Sequence, residues 1–210
     1  MSWRGLGVAV LLALVGAAAG VGLARVLDDD PVAVAEVVPA VATDPSVPTD
    51  PPVQVLPDPT TPPLATDLPT HVATVGQKPF GLSLPVPDGW TRSDPKAGEW
   101  RWFVEANPLN TYVLRVVLPS GYASIGTALQ TRIDALDGAT GIQEFTVESQ
   151  TADTFIATYV SEGHRRLTME RFLSLDGSQT VYANVALVGR MVDRDGMADL
   201  LDRITAEARR

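Results

Sequence analysis

Between residues 28 and 70 the chain carries eleven prolines, eight acidic residues and neither lysine nor arginine. Proline fixes φ and removes a backbone donor. Neither helix nor sheet can therefore grow through Thr43-Asp44-Pro45, Pro51-Pro52, Pro57-Asp58-Pro59 and Pro62-Pro63. The aspartates add self-repulsion. A disordered linker is expected over residues 28–75, extended and partly polyproline II over 28–70, where it has a reach of roughly 130 Å at full stretch. This stretch divides the 210-residue chain. A short piece, 1–27, precedes it, and residues 76–210 must supply the fold. A domain of that size buries about two-thirds of its unfolded surface and folds without disulfide or metal.

The first piece is itself constrained. Gly5 to Ala24 is an uncharged run, and twenty residues of helix span roughly 30 Å, the thickness of a bilayer core. Arg4 stands before the run, and Arg25 and Asp28-Asp29-Asp30 follow it. With the α-amino charge, the flanks favour a single-pass transmembrane anchor with its C-terminal side out. The rival reading is a signal peptide cleaved after Ala17-Ala18-Ala19, since small residues mark such sites. Both readings place the domain outside the cytoplasm, membrane-held in one and secreted in the other. Gly16 and Gly20 have the spacing of a helix-packing face, although such residues are common in any apolar segment.

The formal charge of −9 belongs mostly to the linker. Residues 71–210 hold 14 basic against 17 acidic side chains and lack a long Lys/Arg run, which argues against nucleic acid as a partner. Cysteine is absent, so disulfides, thiolate metal sites, cysteine nucleophiles and a lipid-modified cysteine are all excluded.

Within the domain, Phe80, Leu82 and Leu84 alternate with small residues as a half-buried strand does, and Pro85 to Gly89 reads as a turn delivering Trp90. Glu99–Ala106 and Tyr112–Leu118 read as the next strands. Ile125, Leu129, Ile133 and Leu136 recur at helical spacing, and Gly138 stops that helix. Four more strands are expected at Ile142–Gln150, Phe155–Val160, Leu167–Leu175 and Val181–Val188, with Glu162-Gly163 and Asp176-Gly177 as hairpin turns. Asp193 or Asp195 should cap a final helix with Met197, Leu200, Leu201 and Ile204 inward. The expectation is an α+β fold, an antiparallel sheet of about six to seven strands covered by two helices.

The stretch Leu84-Pro85-Val86-Pro87-Asp88-Gly89-Trp90, followed by the helix, the run of hairpins and the C-terminal helix, resembles the actinobacterial LpqN-type lipoprotein family. That resemblance covers about residues 80–208. It implies a PsbP-like sandwich and a cell-envelope protein without established catalysis. The lipobox cysteine of that family is missing here, so the apolar segment would replace the lipid, and no family site carries over.

No catalytic, cofactor or metal constellation is expected. His71 lies at the linker edge and His164 in a hairpin turn that should be solvated, although Ser161, Glu162 and His164 together have the residue types of a nucleophile and base. Asp193, Asp195, Asp199 and Asp202 gather near the last helix without the spaced ligands of a calcium loop, and carboxylates are ordinary at a helix start. The candidate partner-binding residues are Trp90, Trp100 and Trp102, with Phe103 and Tyr112 nearby, because exposed aromatics anchor partners or stack on sugars. Core packing and strand ends are the favoured reading of these aromatics; if they bind, Trp100 and Trp102 share one strand face, so one could pack inward while the other lies near solvent beside Trp90. The expected function is a membrane-tethered, extracytoplasmic, non-enzymatic binding or accessory module. Its partner would be an envelope protein or a cell-wall polymer. A secreted hydrolase of unfamiliar design and a purely structural anchor are the alternatives.

Overall fold

The computed structural model describes residues 52–108 and 111–210. The expected anchor over 1–27 and the first part of the linker lie outside the described residues. Among the described residues, no helix is long and apolar enough to cross a membrane.

Among the described residues nine strands and two α-helices follow in order: β1 (Thr70–Val75), β2 (Leu82–Pro87), β3 (Thr91–Lys96), β4 (Glu99–Phe103), β5 (Val113–Val117), α1 (Ile125–Asp137), β6 (Ile142–Gln150), β7 (Thr154–Ser161), β8 (His164–Leu173), β9 (Ala183–Gly189) and α2 (Arg194–Glu207). Strands β3 to β9 form one antiparallel sheet in the order β3-β4-β5-β9-β8-β7-β6, and β1 and β2 form a separate hairpin. The fold is therefore α+β, with a seven-stranded antiparallel sheet and two helices. Strand β9 closes the sheet by pairing with both β5 and β8, which places α1 and the β6–β7–β8 meander between two neighbouring strands.

The alternation along the strands sorts side chains onto two faces. On one face Trp100, Trp102, Leu114, Val116, Leu167, Met169, Val185 and Leu187 meet Met197, Leu200, Leu201 and Ile204 of α2 and Leu82, Leu84 and Val86 of β2. On the other, Phe155, Ala157 and Phe172 meet Leu129, Ile133 and Leu136 of α1. Ser124 caps α1, its side chain accepting the Thr127 N–H, and Gly138 ends the helix with its N–H on Asp134 O and Leu136 O. The Glu162-Gly163 turn has both residues at positive φ, 52° and 78°, the backbone that a tight antiparallel hairpin requires.

Four expectations are corrected. The segment expected as disordered linker through residue 75 is ordered on the domain from residue 52. Leu64 is buried in the core, Leu56 donates its N–H to Gly163 O, and residues 70–75 form β1. Polyproline segments leave their carbonyls unsatisfied, and here Arg190 satisfies them, donating to Pro59 O, Thr61 O and Pro62 O at 2.7–3.0 Å. Second, Pro85 and Pro87 lie within β2 instead of forming a turn. They sit opposite β1 residues Val72 and Thr70 on a strand whose other side is bridged at Ser83 by Arg209, an edge setting where a missing donor is tolerated. Third, β3 has no apolar residue and its pairing with β4 was not expected. Fourth, Asp193 precedes α2 but makes no cap hydrogen bond with its side chain. Both of its carboxylate oxygens are held by Arg190, and Leu64 N–H donates to Oδ1 at 2.9 Å. The strap over 52–64 then crosses the first turn of α2 so closely that a Cβ at Gly196 would meet Leu64 O at 2.2 Å. Only glycine fits there.

Candidate functional site

The aromatic candidates are dispersed by the fold. Trp102 (2% exposed) and Trp100 (9%) both lie in the core on the α2 face. Trp90 is half-buried at its margin and stacks on Tyr112, with ring centroids 5.4 Å apart. Arg92 stands over the Trp102 ring at 5.9 Å. Trp90, Trp100 and Trp102 therefore share no exposed platform. Trp100 and Trp102 both face the core, because β4 lies inside the sheet and its tryptophan face packs into the cluster formed with β2 and α2.

The opposite face carries the concentration of polar chemistry. Cross-strand partners share a face, so the register Arg101↔Arg115↔Ala186↔Glu170 and Glu99↔Val117↔Asn184↔Phe172 places these residues beside α1. Glu99 is buried and held by Arg101 at 2.6 Å, Arg115 at 3.1 Å and Lys96 at 3.3 Å. Burial alone would push its carboxyl up. The hydrogen bonds from Arg115 and Arg101 and the neighbouring Lys96 outweigh that and hold it at about 2. Glu170, fully buried, receives Arg132 of α1 in a fork: Nε donates to both oxygens at 3.0 Å and Nη2 to Oε1 at 2.9 Å. Burial alone would lower the Arg132 pKa; the Glu170 carboxylate more than offsets it and raises it. Asn184 is buried with its Nδ2 donor unpartnered.

Beside this network lies an open cleft of about 580 Å³ between α1, the loop after β5 and the β3–β4 hairpin. Its walls are mainly small or apolar, among them Ala97, Val117, Ala123, Ala128 and Val181, with Lys96, Glu99 and Arg132 as its charged members. Tyr122 stands on the rim with 91% of its surface exposed. Its charged members are paired with one another or with the neighbouring network, Lys96 with Glu99 and Arg132 with Glu170.

His164 is not the solvated turn residue that was expected. It packs against the strap, with Nδ1 3.9 Å from Asp58 Oδ1, and both atoms are buried without a hydrogen-bond partner. Ser161 is its cross-strand partner in β7, but the imidazole faces Asp58. His71 is exposed, 2.8 Å from Asp88. Asp193, Asp199 and Asp202 are each engaged by an arginine, Arg190, Arg203 and Arg171 respectively. Among the described residues no cluster of three or more histidine or carboxylate side chains could hold a metal ion.

The ionic network escaped sequence reasoning because its members, Glu99 and Arg101, Arg115, Arg132 and Glu170, come from four separate elements, β4, β5, α1 and β8. The available signal was charge at alternate positions of strands otherwise expected to be half-buried.

No family model matches the chain, and no curated protein matches it. Among solved structures it is similar to the Ran-binding protein Mog1p of Saccharomyces cerevisiae, with 10% identity and a TM-score of 0.47 over 67% of this chain and 95% of that one. It is also similar to LpqN of Mycobacterium tuberculosis, involved in cell envelope biogenesis, with 14% identity and a TM-score of 0.39 over 67% of this chain and 90% of that one. At such identity neither neighbour carries a residue role to this chain.

Proposed function

We propose that this chain is a membrane-tethered, extracytoplasmic binding module of the cell envelope, non-catalytic, whose partner docks in the cleft between α1 and the β3–β4 hairpin. The address rests on the charge-free run Gly5–Ala24 and the acidic, proline-rich stretch after it. The observation that carries the binding role is the state of the charges beside the cleft. Glu99 and Glu170 are each locked by arginine, so the charges beside the cleft are matched within the domain itself. Small side chains along its walls leave room for a partner, and Tyr122 offers an exposed aromatic at the rim, the kind of side chain that anchors interfaces. The partner is an envelope protein segment or a cell-wall polymer.

The test is photo-crosslinking in cells that produce the full chain. A photoreactive residue replaces Tyr122 in one strain and Gln130, on the outer face of α1, in another. Discrete adducts from position 122 and none from position 130 support the reading, and mass spectrometry separates a peptide adduct from a glycan. Equal labelling from both positions overturns the cleft as the site. Protease shaving of spheroplasts checks the address: a protected domain refutes it.

A further inference from the structure

We infer that β1 is a self-pairing edge, through which two copies of the chain join antiparallel across Val72. The register of the β1–β2 hairpin decides which backbone groups face outward. Antiparallel partners alternate between pairs that exchange both hydrogen bonds and pairs whose N–H and C=O groups point away from each other. Ser83, opposite Thr74, exchanges its N–H and C=O with Arg209 on its far side, at 2.8 and 2.9 Å. Thr74 O is likewise turned outward, accepting from Arg92 Nη1 at 3.4 Å. Thr74/Ser83 is thus an outward pair, and by alternation so are Val72/Pro85 and Thr70/Pro87. The prolines fit this assignment, since an outward position of β2 needs no donor toward β1. The Asp88 N–H on Pro69 O fits it too, one step further on.

The free edge of β1 therefore presents N–H and C=O groups at Thr70, Val72 and Thr74. These three are symmetric about Val72, reading Thr-x-Val-x-Thr. In an antiparallel self-pair, Val72 would face its own copy and Thr70 would face Thr74 of the other. All three positions would then be hydrogen-bonding pairs, with Thr–Thr contacts of the kind that stabilise sheets. Among the described residues, the contact displaced is that of Arg92 at Thr74 O, and Arg92 keeps its pair with Asp94.

The other edges of the described domain are guarded against such pairing. β3 carries Arg92, Asp94, Pro95 and Lys96. β6 has two register shifts and Glu144 at positive φ. Prolines, charges and bulges are the usual protection of an edge. β1 has none of them, and Val72 is 56% exposed. The self-complementary register favours a second copy over a foreign strand, since closed two-fold pairs are the commonest assembly.

The chain has no cysteine, so single-cysteine variants report the pairing directly. The full chain in membranes is oxidised as Val72→Cys, with Tyr122→Cys as the collision control. Thr70→Cys and Thr74→Cys are oxidised separately and mixed. Paired Val72 residues would place their Cα atoms about 5.5 Å apart, within disulfide reach. The expected result is a covalent dimer from Val72→Cys well above the control. The Thr70/Thr74 mixture should crosslink several-fold more than either variant alone. Absence of a Val72 dimer overturns the inference, as does an adduct between Val72 and a different protein. Equal yields from the separate and mixed threonine variants also overturn it, because the register would then be wrong.

Discussion

Replacing Arg190 with methionine removes the group on which the strap and α2 both depend. Arg190 donates to both carboxylate oxygens of Asp193, at 2.9 and 2.7 Å, and to three strap carbonyls. Both partners of the ion pair are buried. Methionine would fill much of the space but leave a buried carboxylate without a cation, which typically costs about 3–5 kcal/mol. The strap carbonyls can recover water by lifting, so their loss is better counted through Leu64, whose release from the core adds about 1.5–3 kcal/mol. The sum is a large part of a typical stability of 5–15 kcal/mol. The sign of the pH dependence gives a sharper check. In the native protein burial pushes the Asp193 carboxyl up, but Arg190 and the Leu64 N–H outweigh that and hold it below its ordinary 3.8. Its contribution is therefore fully present above that value and lost as pH falls below it. Without Arg190 burial dominates, the carboxyl is raised, and protonation becomes stabilising. Arg190→Met should thus gain stability, relative to the parent, as pH falls from 7 toward 5. Urea unfolding at several pH values, with proteolysis of residues 52–64 as the strap reporter, measures both effects. A variant less than about 1 kcal/mol weaker than the parent, with an unchanged pH profile and a protected strap, would refute the reasoning.

Three further outcomes are expected. Ile133→Asp puts an unpaired carboxylate between α1 and Phe155, Ala157 and Phe172, at a cost of several kcal/mol; a normally melting variant would show that the α1 face is not core. Glu99→Gln should remove stability that the parent holds above pH 4.5 and loses as pH falls toward 2, since the folded carboxyl is depressed to about 2 from 4.5. The shift corresponds to at most about 3–4 kcal/mol, reduced by solvent screening because Lys96 is 70% exposed, and an acid titration of both proteins by circular dichroism reads it. A fragment of residues 50–210 should unfold cooperatively with or without a chelator, whereas residues 76–210, which lack β1, Leu64 and the Arg190 ligands, should be markedly less stable in the same thermal scan.

The elements that could be read from sequence are those whose side chains carry the pattern themselves. Leu129, Ile133 and Leu136 mark α1, and Met197, Leu200, Leu201 and Ile204 mark α2, because each helix buries one stripe. Strands β4 to β9 show alternation or apolar runs for the same reason. The misses share a different cause. β3 reads Thr-Arg-Ser-Asp-Pro-Lys and is a strand only because β4 pairs with it. β1 and the strap lie inside an expected linker whose composition argues for disorder; β1 is ordered by its pairing with β2, and the strap by contacts with Arg190, Asp193 and Gly163, roughly 100 or more residues away. Nothing local could announce those contacts.

The cleft follows from how the two faces of the sheet are covered. Seven strands about 4.8 Å apart span roughly 29 Å from first to last, while a helix with its side chains is about 10–12 Å wide. On one face α2 is joined by the β1–β2 hairpin and the strap, and the sheet beneath is apolar. On the other α1 packs mainly against β6 and β8, which leaves much of the β3–β4–β5 side without a covering helix. An apolar surface there would be an aggregation hazard. Glu99, Arg101 and Arg115 occupy it instead, and Arg132 and Glu170 fasten the helix beside it. The ionic network is therefore where this sheet meets a surface that its own helices leave open, and that is why our proposal puts the partner on this polar floor with its apolar wall and not on the tryptophan cluster.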